Sequence, residues 1–230
     1  MNYQKNLKYF KSTDTHYYIG LPIFALGAIF FIMGYIFWTY LFPYQDLVSI
    51  ALIIIGAIVA FVPRSFRSSE KDIDDAVTEM TKDYETSAAE ELGITSLLLR
   101  EQKPLLVGTY TYENNAIYRR GKIDRKFRSD HYTAAALLFT KHGICISEKQ
   151  FSLTKDSVKE NIHEFRYTDI DGLFIETTEH HFTNEEKTMV ANLIIKTDGK
   201  TVFSLPVTQN AVLERTCDDI NLRINRIKKA

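Results

Sequence analysis

The chain has 230 residues and a formal net charge of −1, from 28 Lys and Arg side chains against 29 Asp and Glu. This balance excludes a protein that binds nucleic acid through a uniformly basic surface. The two cysteines, Cys145 and Cys217, form no CxxC pair and no HExxH motif occurs, which excludes the common zinc signatures.

Two uncharged segments near the N-terminus predict membrane-spanning helices. No charged residue occurs from Tyr17 to Tyr44, and none occurs from Leu47 to Pro63. The expected order is a cytoplasmic tail, a first transmembrane helix, an external turn and a second transmembrane helix, at residues 1–16, 17–42, 43–46 and 47–63. The second segment makes about 25 Å of helix against about 30 Å of hydrocarbon, so it only just spans.

Cations flank these segments on one side only. Those before the first segment are Lys5, Lys8 and Lys11, and those after the second are Arg64, Arg67 and Lys71. Aromatic residues mark the expected interfaces, with Trp38, Tyr40 and Tyr44 outside and Tyr17 and Tyr18 inside. By the positive-inside rule the sequence predicts a two-pass protein of the cytoplasmic (inner) membrane with both termini in the cytoplasm.

Small residues recur along both segments. The spacing places Gly20, Gly27 and Gly34 on one face of the first helix, and Gly56 and Ala60 form a small-xxx-small pair in the second. These faces predict either packing of the two helices on each other, which we favour, or dimerisation with a second copy.

Residues 64–103 are expected to form an acidic juxtamembrane helix and a linker. The apolar stripe steps by three or four residues through Ile73, Val77, Met80, Tyr84 and Ala88. Ser68 or Ser69 is expected to cap this helix and Gly93 to end it. Because the segment from 70 to 91 carries nine acids and two lysines, it should stand off an anionic leaflet. It then packs on the following domain or on a second copy, or remains a solvated connector.

From Pro104 the pattern changes to period two and predicts seven strands. The segments are "LLVGTYTY", "HYTAAALLFT", "GICIS", "IHEFRY", "LFIETT", "VANLIIKT" and "KTVFSLPV". The "TDGK" at 197–200 predicts a two-residue hairpin turn. A C-terminal amphipathic helix follows, with Thr208 as its expected cap; its apolar face comprises Leu213, Cys217, Ile220, Ile224 and Ile227.

Residues 104–230 resemble pleckstrin-homology-like domains of the bacterial and GRAM type. The resemblance is carried by "ALLFTKHGICIS", "FRYTDIDGLFIE" and "GKTVFSLPV" followed by a helix. It implies a bent seven-stranded barrel that the helix closes at one end, and many bacterial members are tethered to transmembrane helices. The expected fold class is a membrane α-helical hairpin joined to a cytosolic, mainly β, pleckstrin-homology-like barrel with a C-terminal amphipathic helix.

The basic run "YRRGKIDRKFR" lies in a stretch, Glu113 to Asp130, that is longer than the first hairpin loop usual in that family. Its cations are Arg119, Arg120, Lys122, Arg125, Lys126 and Arg128. In lipid-binding members of the superfamily a similar "KFR" pattern grips headgroup phosphates, which implies this role for Lys126 and Arg128. Three interpretations stay open: contact with anionic lipid, pairing with the acidic helix, or a solvated hairpin.

Catalytic signatures are missing from the sequence. No G-x-S-x-G, Walker or G-x-G-x-x-G motif occurs, and His180 and His181 suit a solvated loop better than a metal site. We therefore expect no enzyme, no cofactor, no metal and no nucleic-acid partner.

The leading functional hypothesis is a membrane protein that presents a cytosolic binding or scaffolding module for a protein, a peptide or an anionic lipid headgroup. The partners expected are membrane lipid and a protein of unknown identity, with a homo-oligomer as a further option. The alternative is a ligand-sensing membrane effector of the defence type that oligomerises through its transmembrane hairpin. An accessory factor that recognises an exported protein through the external turn is a third option.

Overall fold

The computed structural model describes residues 1–11, 15–37, 45–65, 67–113, 115–182 and 186–229. The chain divides into two compact units, Asn2–Ile73 and Asp74–Ala230. The predicted outer aromatic residues Trp38, Tyr40 and Tyr44 lie outside the described residues, as do residues 43 and 44 of the predicted external turn, whereas its residues 45 and 46 lie in α3. The side chain of Arg64 is not described either.

The N-terminal unit is helical. Its first three helices are α1 (Tyr3–Lys11), α2 (Thr15–Phe37) and α3 (Gln45–Ser65). Within α2, the segment His16–Gly34 is long and apolar enough to cross a membrane, with a mean hydropathy of 1.9, and Gly34 at its end is half-buried. The apolar part of α3, Asp46–Val62, is shorter. Helix α1 was not expected, because residues 1–16 were interpreted as a tail.

Helices α2 and α3 pack closely through small residues. A Cβ added to Gly20 would lie 2.5 Å from the backbone nitrogen of Ala60, and one added to Gly27 would lie 2.8 Å from that of Ile53. A Cβ on Gly56 would collide with the backbone of α2. The backbones therefore approach so closely that only a hydrogen atom fits at these glycines, and the contact lies within one chain.

The acidic segment forms two helices instead of the single helix predicted. They are α4 (Glu70–Thr81) and α5 (Tyr84–Glu91), and Asp83 between them has a left-handed φ of 55°. The Ser69 hydroxyl accepts a 3.1 Å hydrogen bond from the Asp72 backbone, which confirms the predicted cap. Gly93, with φ of 66°, ends α5 as predicted.

The C-terminal unit is mainly β. Its strands are β1 (Leu105–Thr111), β2 (Tyr118–Arg120), β3 (Phe127–Ser129), β4 (His131–Phe139), β5 (Gly143–Ser152), β6 (Val158–Arg166), β7 (Gly172–His181), β8 (Lys187–Thr197) and β9 (Lys200–Val207). They form antiparallel sheets in the orders β1-β4-β5-β6, β2-β3 and β7-β8-β9. The seven predicted strands are confirmed, and the basic run adds the short hairpin β2–β3.

One apolar core takes side chains from both larger sheets and from the C-terminal helix α6 (Ala211–Lys229). Strand β4 is buried on both faces, because Leu137 and Phe139 point into this core while Ala136 and Leu138 pack with α5. On the α5 side, the hydroxyl of Tyr84 lies 2.9 Å from that of Ser147. Helix α5 thus belongs to the β domain.

Two local signals near the C-terminus have different outcomes. The predicted hairpin turn between β8 and β9 is confirmed, with Asp198 and Gly199 at φ of 50° and 72°. The predicted cap of α6 is wrong, because the Asn210 side chain accepts hydrogen bonds from the backbones of Val212 and Leu213. The Thr208 hydroxyl donates to the Gly108 carbonyl instead.

We expect Asn210→Ala to lower the free energy of unfolding by about 1 kcal/mol, because two backbone N–H groups of α6 lose their acceptor. Chemical denaturation of the full chain in mild detergent measures this. Gln209→Ala, one residue earlier, is the matched control and should change the free energy by less than about 0.5 kcal/mol. Equal losses in the two variants would contradict the assignment of the cap.

Candidate functional site

The basic run folds as a hairpin that is inserted between β1 and β4. Strands β2 and β3 pair with Arg119 opposite Arg128 and Arg120 opposite Phe127. The turn closes through a 2.8 Å hydrogen bond from the Gly121 N–H to the Lys126 carbonyl. Residues 122–126 form the exposed tip, where Arg125 has a left-handed φ of 59°.

Aromatic side chains hold the base of this hairpin. Phe127 stacks on Phe182 with ring centroids 4.5 Å apart, and Tyr118 packs on the same ring at 4.3 Å. Tyr112, which follows β1, contacts Phe182 edge-on at 5.2 Å. Since Phe182 is buried and follows β7, the hairpin is fixed to the sheet that contains β7, while its tip extends into solvent.

Arg128 is the buried centre of an ion-pair network whose two carboxylates are partly exposed. Its side chain is only 2% exposed. The guanidinium donates from Nε and Nη2 to Asp74, at 2.8 and 2.6 Å, and from Nη1 and Nη2 to Asp124, at 3.1 and 2.7 Å. The Tyr110 hydroxyl donates a further 2.8 Å bond to Asp74. Two bidentate carboxylates thus satisfy one arginine.

This network shifts the pKa values of its members. Partial burial alone would raise the pKa of Asp74, but hydrogen bonds from Arg128 and Tyr110 outweigh it and hold this pKa below its ordinary value. The hydrogen bonds from Arg128 lower the pKa of Asp124 to about 2. Burial, followed by the charge of Asp74, raises the pKa of Tyr110. The network therefore keeps both carboxylates ionised at neutral pH.

These shifts predict a pH dependence of stability. A carboxyl group whose pKa is lower in the folded state contributes stability that is fully present above its unfolded value of 3.8 and is lost as the pH falls through its folded value. Wild-type chain should therefore lose more stability than Asp124→Asn between about pH 4 and pH 2. Urea denaturation at stepped pH measures this, and parallel curves for the two proteins would contradict it.

The cations of the run have different environments. Arg120 pairs with Glu186 at 3.2 Å and lies over the Phe127 ring at 5.3 Å, and Arg119 is half-buried in β2. Lys122, Arg125 and Lys126 have exposed side chains at the tip. Arg128 is buried and its guanidinium pairs with Asp74 of α4, so its side chain is not exposed to lipid in this structure. Of the three interpretations of the basic run, pairing with the acidic helix therefore applies to Arg128.

One residue of the tip, Ile123, was not among the candidate site residues predicted from the sequence. Ile123 is 90% exposed, and it lies between Lys122 and the cations Arg125 and Lys126. The sequence signal that could have identified it is an apolar residue in the middle of a charged turn, "GKIDRK". Single exposed apolar side chains are common on protein surfaces, and Ile123 differs from the others in its high exposure and in the three exposed cations beside it in the turn.

A surface groove of about 560 Å³ lies beside the hairpin. Its lining combines cations, hydroxyls and aromatic rings from the hairpin, β1 and the residue after it, β4, β8 and the segment between β9 and α6: Thr109, Tyr110, Tyr112, Arg120, Arg125, Lys126, Phe127, Tyr132, Lys187, Thr188, Met189 and Thr208, with Asp74 and Arg128. Such a lining suits a small anionic or hydroxylated ligand.

No known protein family, no curated protein and no solved structure matches this chain. In the described part of the chain, no group of three or more His, Cys, Asp or Glu side chains could hold a metal ion. Cys145 and Cys217 are buried, and burial raises the pKa of each thiol to about 11.

Proposed function

We propose that this protein is anchored in the membrane by α2 and α3 and docks its β domain on anionic phospholipid through the tip of the β2–β3 hairpin. The observation that carries the proposal is the tip itself, where Ile123 is 90% exposed between the exposed cations Lys122, Arg125 and Lys126. An apolar side chain surrounded by cations suits the interface of an anionic bilayer, where the side chain enters the acyl boundary and the cations meet headgroups.

The helical unit supports the anchor. Only 11% of the apolar window of α2 is buried, whereas the core helix of a soluble protein is mostly buried. The apolar part of α3, Asp46–Val62, makes about 25 Å of helix against about 30 Å of hydrocarbon, so in the proposed anchor α3 only just spans. With the flanking cations on one side, the proposed topology has two passes and places the β domain in the cytoplasm.

The β domain supports the proposed relationship to pleckstrin-homology-like domains. Apart from the inserted hairpin β2–β3, the described strands form one four-stranded and one three-stranded antiparallel sheet followed by a helix. This is the order that the sequence resemblance implies. We propose that the two sheets form the bent barrel of that family and that the insertion is the part specialised for the membrane.

The expected free energies predict that the contact between the hairpin tip and the membrane depends on lipid charge and salt. Three cations near an anionic surface contribute about 1 kcal/mol each, and full burial of an isoleucine contributes about 1.5 to 3 kcal/mol. Association of a free domain costs about 4 kcal/mol or more, so a free domain would bind weakly. An anchor in the same bilayer raises the effective concentration to about the millimolar range, so docking would respond to lipid charge and salt.

The alternative of an oligomerising effector has less support. Gly20 and Gly27 of α2 and Gly56 and Ala60 of α3 lie at the contact between the two helices of one chain, so they are not available to a second copy while the hairpin is closed. For this reason we base the proposal on the hairpin tip and not on the faces of the membrane helices.

The test uses full-length chain in nanodiscs with a fluorophore on Ile123→Cys, which can be labelled selectively because Cys145 and Cys217 are buried. In discs that contain phosphatidylglycerol we expect a blue-shifted emission and quenching by spin-labelled lipids. In phosphatidylcholine discs we expect neither. The control is Val212→Cys, at a position 60% exposed at the start of α6, whose label should stay in water. Equal quenching at position 123 in both lipids would reject the proposal.

A further inference from the structure

The inner face of the four-stranded sheet changes from apolar to polar along its strands. In the middle of the sheet, β4 and β5 contribute Leu137 and Ile146 to the core. Four residues earlier in β4 and two residues later in β5, the same face carries Thr133 and Glu148, which are only 3% and 8% exposed. Burial of a polar group is unfavourable unless the group finds hydrogen-bond partners. The partners of these two side chains therefore decide what this face can bind.

Both side chains lack hydrogen bonds that their burial requires. One carboxylate oxygen of Glu148 accepts a 2.7 Å hydrogen bond from the side-chain amide of Gln150. The other oxygen lies 3.5 Å from Nε2 of His163, which is longer than an ordinary N–H···O hydrogen bond. The Thr133 hydroxyl makes no hydrogen bond to any residue that the structure describes. A buried carboxylate oxygen and a buried hydroxyl are thus left for an external donor.

Thr133 and Glu148 line a cleft of about 720 Å³ to which both larger sheets contribute. Among the described residues that line it, the Asp, Glu, Lys and Arg side chains are three glutamates and one lysine: Glu113, Glu148, Glu179 and Lys159. This balance is opposite to that of the groove beside the hairpin, which is lined mainly by cations. An excess of carboxylates repels an anionic ligand and favours a cationic one.

Three acceptors lie at neighbouring positions of this cleft. They are the second carboxylate oxygen of Glu148, the hydroxyl oxygen of Thr133 and the side-chain carbonyl of Gln150. Thr133 is directly opposite Gln150 in the β4–β5 pair, and Glu148 lies two residues from Gln150 on the same face. Side chains at such positions are about 5 to 8 Å apart, so one small group can contact all three.

We propose that this cleft binds the ammonium group of a small primary amine, with Glu148 as its counter-ion and Thr133 and Gln150 as further acceptors. A primary ammonium group carries one positive charge and three N–H donors, which matches three acceptors of which one is a carboxylate. The ligand supplies the hydrogen bonds that the buried carboxylate and hydroxyl lack. The site lies on the sheet and not at the hairpin tip, so it goes beyond membrane docking and does not depend on it.

The first experiment compares three small ligands on wild-type full-length chain in phosphatidylcholine nanodiscs by saturation-transfer NMR, with empty discs as the blank. Propylamine should bind. Propan-1-ol, which has no charge, and tetramethylammonium, which has no N–H donor, should each bind at least about tenfold more weakly. Equal binding of tetramethylammonium would reduce the cleft to an acidic surface, and equal binding of propan-1-ol would show that charge is not recognised. Either result, or no binding of propylamine, would overturn the proposal.

Variants then locate the site. Glu148→Gln keeps the size of the side chain but removes its charge, so it should weaken propylamine binding at least about tenfold. Thr133→Val keeps the shape but removes the hydroxyl, and it should weaken binding about threefold or more. Glu164→Gln removes a carboxylate from an exposed position on β6 and is the matched control, which should bind as wild type does. Equal affinities of Glu148→Gln and Glu164→Gln would overturn the assignment. The comparison of ligands uses wild-type chain, so it decides the question even if a variant folds poorly.

Discussion

We expect Arg128→Met to lower the free energy of unfolding of the β domain by about 3 kcal/mol. Methionine fills much of the buried volume, but Asp74 and Asp124 lose the four hydrogen bonds that the guanidinium donates. Both carboxylates are partly exposed, at 47% and 30%, so water replaces part of this interaction. The loss should therefore fall at the low end of the range for a broken buried ion pair.

The measurement is chemical denaturation of the full chain in mild detergent, followed by near-ultraviolet circular dichroism. Arg125→Met, three residues earlier and exposed at the tip, is the matched control and should change the free energy by less than about 0.5 kcal/mol. A similar small change for Arg128→Met would mean that the network does not stabilise the fold.

The alternation of β3 shows why the role of Arg128 was not predictable. Lys126 and Arg128 stand two residues apart at the end of the hairpin, where the local pattern treats them alike. One is exposed and the other is buried, because Asp74 reaches Arg128 from a helix 54 residues away in the chain. A contact of such separation leaves no trace in the local pattern.

The strands and turns of the β domain were predictable because their signals are local. The "TDGK" turn requires a positive φ at Asp198 and Gly199, and the sequence supplies residues that tolerate it. The break of the acidic helix at Asp83 depends on tertiary packing instead, since α5 turns to bury Tyr84 against the outer face of β4 and β5. The sequence does not show this break, because the apolar residues recur every three or four positions in both α4 and α5.

Reversal of the three exposed tip cations, Lys122→Glu, Arg125→Glu and Lys126→Glu together, should weaken membrane docking by more than about 100-fold. Each cation contributes about 1 kcal/mol near an anionic leaflet, and each glutamate adds repulsion. The fold should persist, because these side chains are exposed and the buried Arg128 is unchanged. The measurement is quenching of the label at position 123 by spin-labelled lipids, in nanodiscs with increasing phosphatidylglycerol.

The matched control reverses three exposed lysines elsewhere in the β domain, Lys141→Glu, Lys155→Glu and Lys200→Glu, and so produces the same net charge. If the tip itself touches the membrane, this control should dock nearly as wild type does. If overall charge governs docking, the two variants should lose quenching equally, and the assignment to the tip is wrong.

Measurements at different salt concentrations distinguish the contribution of the tip cations to membrane docking from that of the apolar group at position 123. The Debye length falls from about 10 Å at 0.1 M salt to about 3 Å at 1 M, which screens the exposed cations but leaves burial of an apolar side chain intact. Docking of the labelled chain with its tip cations intact should therefore weaken with salt without disappearing. Any docking that the variant with three reversed cations retains should strengthen, because salt screens its repulsion from the anionic lipid. Docking that is insensitive to salt would mean that the apolar group at position 123, where the label takes the place of Ile123, alone holds the tip at the membrane and that the surrounding cations serve another purpose.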